Sequence, residues 1–233
     1  MKISEEDHAR IAAAVARAES ATSGEIRCVL AAGTENVAFS SLMSAALFAF
    51  ILPPLAIYFL GLGPDTVSSL FGGWSAAHGN SSAVHADEML MLYTGSQALV
   101  FAVVAGLSSI SPLRRLLTPG HVIEARVRRA ALEQFEALGL VHTRDATGVL
   151  IFASLADRRA QVLADKGIHE KTTPDNWQAV ANALVGELAR NKPADGFVAS
   201  VEAAGEILTR HFPRKHDDTN ELPDGLVTRQ RPK

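Results

Sequence analysis

The sequence predicts an α/β protein: a mixed sheet flanked by helices, with a two-helix transmembrane hairpin inserted into it. Three observations lead there. Residues 147–167, TGVLIFASLADRRAQVLADKG, hold a continuous apolar run from Val149 to Phe152 and then an alternating run from Arg158 to Ala164. A doubly buried strand followed through a polar turn by a half-buried partner has this pattern, and the pair reads as a β-hairpin. Upstream, Glu25 to Ala31 alternates, with Ile26, Cys28 and Leu30 on one face and Arg27 on the other, so it reads as a further strand. Finally, residues 41–62 and 89–110 are two runs of 22 residues without a charge, and about 20 apolar residues span a bilayer as a helix.

Composition agrees with a membrane segment. Of 233 residues, 48% are hydrophobic but only 6% aromatic, and mean hydropathy is positive at +0.13. The net charge of −3 argues against a nucleic-acid footprint, which would need a clustered basic face. The lone cysteine, Cys28, permits no intrachain disulfide and stands in a strand, where it reads as a small buried hydrophobe.

In chain order, the first helix is expected from Ser4 to Thr22. Ser4 serves as N-cap, Asp7 stands at the capping-box position and Ile3 can staple the first turn. Ile11, Val15 and Ala18 form the apolar stripe, and Ser23-Gly24 ends the helix before the first strand. Residues 1–35 thus hold the opening helix and strand of the domain. The first apolar run, 41–62, contains Pro53-Pro54, which predicts a kink or an unwound turn. A loop over 63–88 joins it to the second run, 89–110, whose Gly95, Ser96 and Gln97 suit close helix packing. A buried soluble hairpin is the competing reading, and two full-length runs around a polar loop favour the membrane.

Orientation follows from the basic residues. No Lys or Arg occurs between Arg27 and Arg114, whereas Arg114, Arg115, Arg126, Arg128 and Arg129 follow the second run. The positive-inside rule then places two spans in a cell inner membrane with both termini cytoplasmic. Tyr58, Phe59 and Trp74 are the expected interface anchors.

The domain resumes over 118–212. Thr118-Pro119 reads as N-cap and first helical residue, with Ile123, Val127, Ala131, Phe135 and Leu138 on one face and Gly139 as the stop. Thr173-Pro174 opens another helix with Trp177, Val180, Leu184 and Leu188 inward. Lys192-Pro193 precedes a last one carrying Phe197, Val201, Ala204, Ile207 and Leu208. The tail, 213–233, is rich in proline and charge without apolar periodicity, and is expected to be disordered.

The order helix, EIRCVL strand, helix ending FEALGL, TGVLIFASLADRRAQVLADKGI and two C-terminal helices resembles the TPM domain family. The landmarks are Gly148-Val149-Leu150-Ile151, the Asp157-Arg158 turn, and Lys166-Gly167-Ile168 closing the second strand of the hairpin. The resemblance covers residues 3–31 and about 119–212, and leaves the transmembrane hairpin outside. It implies a mixed sheet of about four strands covered by helices. It also implies two activities: acid-phosphatase-like hydrolysis, and calcium binding by carboxylates beside the hairpin. Where many members carry Asp-Asn directly before the glycine, this chain has Asp145-Ala146-Thr147. Where the second strand of many members ends Gly-Tyr-Gly, it has Asp165-Lys166-Gly167.

Phosphoester hydrolysis needs a nucleophile or activated water and cationic or backbone donors for the phosphoryl group. Asp145, Asp157 and Arg158 are the candidates for that role, and Asp145, Asp157 and Asp165 the candidate metal ligands. Calcium takes six to eight oxygens from closely spaced acids, and no Asp-x-Asp loop is present. An aspartate at a tight turn more commonly caps its own backbone. No cofactor is dictated, a divalent metal such as calcium or magnesium being the one the resemblance admits. The leading expectation is a membrane-anchored, cytosol-facing interaction or assembly module. Its partners are the lipid bilayer and a membrane or cytosolic protein, with no nucleic acid. A phosphatase-like or metal-assisted hydrolase is the alternative. A divalent-metal sensor using His78, His85, Asp87 and Glu88 of the outer loop is a second.

Overall fold

The computed structural model describes residues 3–34, 37–61, 82–108 and 119–230. Trp74, His78, Arg114, Arg115 and Thr118 lie outside those residues. The chain divides into two compact units, Met1–Glu35 with Gly120–Lys233, and Asn36–Pro119.

The first unit is built on a four-stranded mixed sheet. Its strands are β1 (Glu25–Ala31), β2 (Gly148–Ser154), β3 (Arg159–Ala164) and β4 (Leu226–Arg229), in the order β3-β2-β1-β4. β1 runs parallel to both β2 and β4, while β3 is antiparallel to β2. The expected hairpin is present, with Val149 opposite Ala164 and Ser154 opposite Arg159. All seven residues of β2 are buried, whereas in β3 only Val162 is.

Both faces of the sheet are covered. α1 (Glu5–Glu19), α6 (Pro174–Ala189) and α7 (Pro193–His211) pack on the face carrying Ile26, Cys28, Leu30, Val149, Ile151 and Leu226. α4 (Gly120–Ala137) lays Ile123, Val127, Ala131 and Phe135 on the other, against Val29, Leu150 and Phe152. Each large side chain buried this way is worth roughly 1.5–3 kcal/mol. α4 covers the face of β1 that bears Arg27, which is only 6% exposed.

The caps follow the residues that encode them. Ser4 Oγ accepts from the Asp7 amide at 3.1 Å while Asp7 accepts from the Ser4 amide at 3.3 Å. Thr173 and Asn176 repeat that box at the start of α6, with Pro174 at its first position.

Two expectations fail. Lys166-Gly167-Ile168 does not close a strand: β3 ends at Ala164, and these residues form a helical turn, α5 (Lys166–His169), capped by Asp165. The tail after Pro213 is not structureless either. Its 226–229 segment supplies β4, and Leu226, the apolar residue that pays for ordering it, is buried opposite Cys28. A four-residue edge strand carries too little alternation to stand out from a polar tail.

The second unit contains α2 (Val37–Leu60) and α3 (Ser82–Ser108), which pack on each other. α2 continues as helix through Pro53 and Pro54 rather than unwinding. Within it, Leu42–Leu60 is long and apolar enough to cross a membrane, by length and composition. The apolar part of α3, Tyr93–Leu107, is shorter. Leu47, Phe50, Leu55, Tyr58 and Phe59 are among the large apolar side chains that α2 leaves exposed.

Candidate functional site

Strand direction decides which candidate residues can meet. β1, β2 and β4 run the same way, so the sheet has an amino edge and a carboxyl edge. The seven residues of β2 separate the two edges by about 20 Å. Asp145 precedes β2 and Asp165 follows the antiparallel β3, which places both at the amino edge. Asp157 and Arg158 occupy the β2–β3 turn at the carboxyl edge. The three aspartates therefore do not converge, and a site combining Asp145 with Asp157 and Arg158 is not formed.

At the carboxyl edge Asp157 is buried and accepts from Ser154 Oγ at 2.5 Å and Thr34 Oγ1 at 2.7 Å. It thereby ties the hairpin turn to the residues that follow β1. Arg158 beside it has φ +48°, a left-handed conformation imposed by the tight turn. This is the capping arrangement that the residue types of the turn suggest.

The amino edge is more elaborate. A 3₁₀ turn, Leu140–His142, leads to Thr143, whose Oγ1 accepts from the Thr147 amide at 3.1 Å. Thr147 Oγ1 donates to the Ser23 carbonyl at 2.9 Å, and the Glu25 amide donates to the Thr147 carbonyl at 3.1 Å. The two motif glycines are explained here. A Cβ on Gly148 would stand 2.6 Å from the Leu140 carbonyl oxygen, and one on Gly167 would stand 2.8 Å from those of Asp145 and Ala146. Close backbone approach, rather than chemistry, requires glycine at both.

Each candidate acid at this edge has a local partner. Lys215 Nζ reaches Asp145 at 2.7 Å, and Arg144 Nη2 reaches Asp217 at 2.8 Å. Asp165 accepts from the Lys166 amide at 2.7 Å as cap of α5. Residues 213–224 lie along this edge. The Lys215 amide donates to Ser23 Oγ at 3.0 Å, and the Glu221 amide to Glu25 Oε1 at 3.1 Å.

Beneath that segment are two carboxyls that the sequence reading passed over. Burial pushes Glu19 up to about 8, although its Oε1 accepts from the Ile26 amide at 2.7 Å; Glu25 and Asp224 nearby add to the upward shift. Burial also raises Glu25, whose Oε2 has no hydrogen-bond partner among the described residues. Glu19 was detectable: it continues the Ile11, Val15 stripe at four-residue spacing, where an acid must be buried. Burial pushes the Cys28 thiol up to about 12, consistent with an inert core residue.

A cleft of about 410 Å³ opens at the amino edge, with Asp145, Thr147, Lys171, His211 and Lys215 on its walls. Lys171 Nζ lies 4.8 Å from the centre of the Phe212 ring there. The cleft does not fit a calcium ion. Asp145 is committed to Lys215, and among the described residues no three acidic, histidine or cysteine side chains are grouped so as to hold a metal. Of the outer-loop histidine set, His78 lies outside the described residues, and His85, Asp87 and Glu88 fall within α3.

A family model of the TPM domain matches residues 115–207. No curated protein matches the chain. Among solved structures, the NMR structure of the BA42 protein from the psychrophilic bacterium Bizionia argentinensis is similar. The alignment covers 98% of this chain and 96% of that one, with a TM-score of 0.54 and 19% identity. That likeness shows a common fold.

Proposed function

We propose that the chain is a membrane-anchored TPM-like domain that works as a cytosol-facing interaction or assembly module. The observation that carries this reading is the division of the candidate acids between the two edges of the sheet. Asp157 serves the turn at one end, and Asp145 and Asp165 are engaged locally at the other. Anchoring is supported by the apolar Leu42–Leu60 segment and its exposed side chains. In this proposal residues 41–62 and 89–110 both span the inner membrane, and the arginines after the second run hold both termini in the cytoplasm.

A second reading, phosphoester hydrolysis, is favoured by the amino-edge cleft, which Lys171, His211 and Lys215 line together with Asp145. It would use Lys215 and Lys171 to receive phosphoryl oxygens, rather than Arg158.

Two measurements separate these. A reporter fused after Lys233 should behave as cytoplasmic and the chain should resist alkaline extraction from membranes; a periplasmic signal or ready extraction contradicts the anchoring. Purified full-length protein should show no turnover of p-nitrophenyl phosphate with calcium, magnesium or no metal. Turnover that disappears in Asp145→Asn and Lys215→Gln would establish the hydrolase instead.

A further inference from the structure

The two edges of the sheet differ in how their cations are satisfied. At the amino edge Lys215 and Arg144 are each closed by an aspartate. At the carboxyl edge stand Arg158, Arg159 and Arg229, none of which has a side-chain ion pair or hydrogen bond among the described residues. Strand register sets two of them in one row. Arg229 on β4 neighbours Ala31, which neighbours Ser154, which neighbours Arg159 on β3. Neighbours in register share a face, here the one covered by α4, so two arginines flank two small residues. Arg158 projects from the adjoining turn and is exposed, as is Arg229. Asp157, the acid of that turn, is buried beneath its two hydroxyl donors and offers the arginines little compensation. Of the other acids at this end of the unit, Glu124 stands exposed near the start of α4, and the rest belong to the opposite layer. There Arg10 takes Asp7 and Asp195, and Glu5 and Glu6 open α1.

The chain leaves the first unit from this same edge. β1 ends at Ala31, α2 begins at Val37, and the apolar segment starts at Leu42. The segment that enters the bilayer in the anchored reading therefore follows the carboxyl edge directly in the sequence.

We infer that the Arg158, Arg159 and Arg229 edge docks on the anionic headgroups of that bilayer, holding the domain edge-down on the membrane surface. The inference rests on the membrane-anchored reading above. Three guanidinium groups without a partner among the described residues, Arg159 half-buried and the other two exposed, match phosphate oxygens in geometry as well as charge. Anionic lipid attracts each arginine near its surface enough to change a docking equilibrium about fivefold.

The test uses the full chain reconstituted into vesicles of phosphatidylcholine, with or without phosphatidylglycerol. A donor fluorophore sits at Gln230→Cys, next to Arg229, and the acceptor is a headgroup-labelled lipid. Energy transfer should be higher in anionic vesicles and fall to the neutral-vesicle level in high salt. The triple variant Arg158→Gln, Arg159→Gln, Arg229→Gln should shift docking by ~100-fold, the product of three such factors. Lys215→Gln at the opposite edge should leave it unchanged. Transfer that ignores lipid charge and salt, or that survives in the triple variant, overturns the inference. So does displacement by inorganic phosphate at matched ionic strength, which would make the arginines a small-anion site. Failure of the protein to float with vesicles of either composition would instead sink the anchoring on which the inference rests.

Discussion

The amino and carboxyl edges of one small sheet solve the problem of exposed strand ends in opposite ways. The amino edge is closed by covering it: residues 213–224 lie along it, bonded to Ser23 and Glu25, with Lys215 and Arg144 neutralised by aspartates. The carboxyl edge is closed by one buried residue, Asp157, which gathers Thr34 and Ser154, while Arg158 and Arg229 are exposed and Arg159 is half-buried. Covering an edge requires burying whatever charge lies beneath, and Glu19 and Glu25 are that charge. Capping an edge leaves its cations free to meet something else.

The largest expected effect is the pH dependence of the covered edge. Burial pushes Glu19 in the folded protein up to about 8, above the 4.5 of an exposed glutamate. Between those values the folded state keeps a proton that the unfolded state has lost. Its contribution is therefore intact below pH 4.5, declines as pH rises to 8 and is flat beyond. At about 1.4 kcal/mol per unit the ceiling of that decline is roughly 4–5 kcal/mol. Unfolding followed from pH 5 to 9 should show the decline, and Glu19→Gln should remove most of it. A residue remains from Glu25, which is shifted the same way. An equal slope in the variant would break the comparison.

Next comes Gly148→Ala, whose new methyl meets the Leu140 carbonyl at 2.6 Å. A loss of about 2–4 kcal/mol in denaturant unfolding is expected. At the capped edge Asp157→Ala strands two hydroxyls and frees the turn, which should cost about 2–3 kcal/mol. Asp157→Ala should leave the pH slope set by Glu19 untouched, since the two residues serve opposite edges. The smallest effect concerns Ala146, which holds φ +53°. Replacement by glycine should stabilise the fold by about 0.5–1 kcal/mol, a gain measurable by the same unfolding curves.

The sheet and its helices were legible because their signals are local. Continuous burial marked β2, alternation marked β3, and Ser4 and Thr173 announced their helices through side chains three residues apart. The covered edge was not legible, since its content lies in contacts across the chain. Asn220 reaches Glu19 over some 200 positions, and Asp145 meets Lys215 over 70. Neither separation leaves a period to read. β4 failed for a related reason, a single buried residue being no pattern. The candidate aspartates were found as residues but misjudged as a group. Nearness along the sequence placed Asp145, Asp157 and Asp165 together, whereas the strands between them set Asp157 at the opposite end from the other two.

The central claim is that residues 214–229 belong to the fold and close the amino edge. Amide hydrogen exchange on the full-length protein tests it most directly. Protection is predicted at residues 226–229 and at Glu221, whose amide is held by Glu25. Exchange of these amides at the rate of an unstructured chain would contradict the claim.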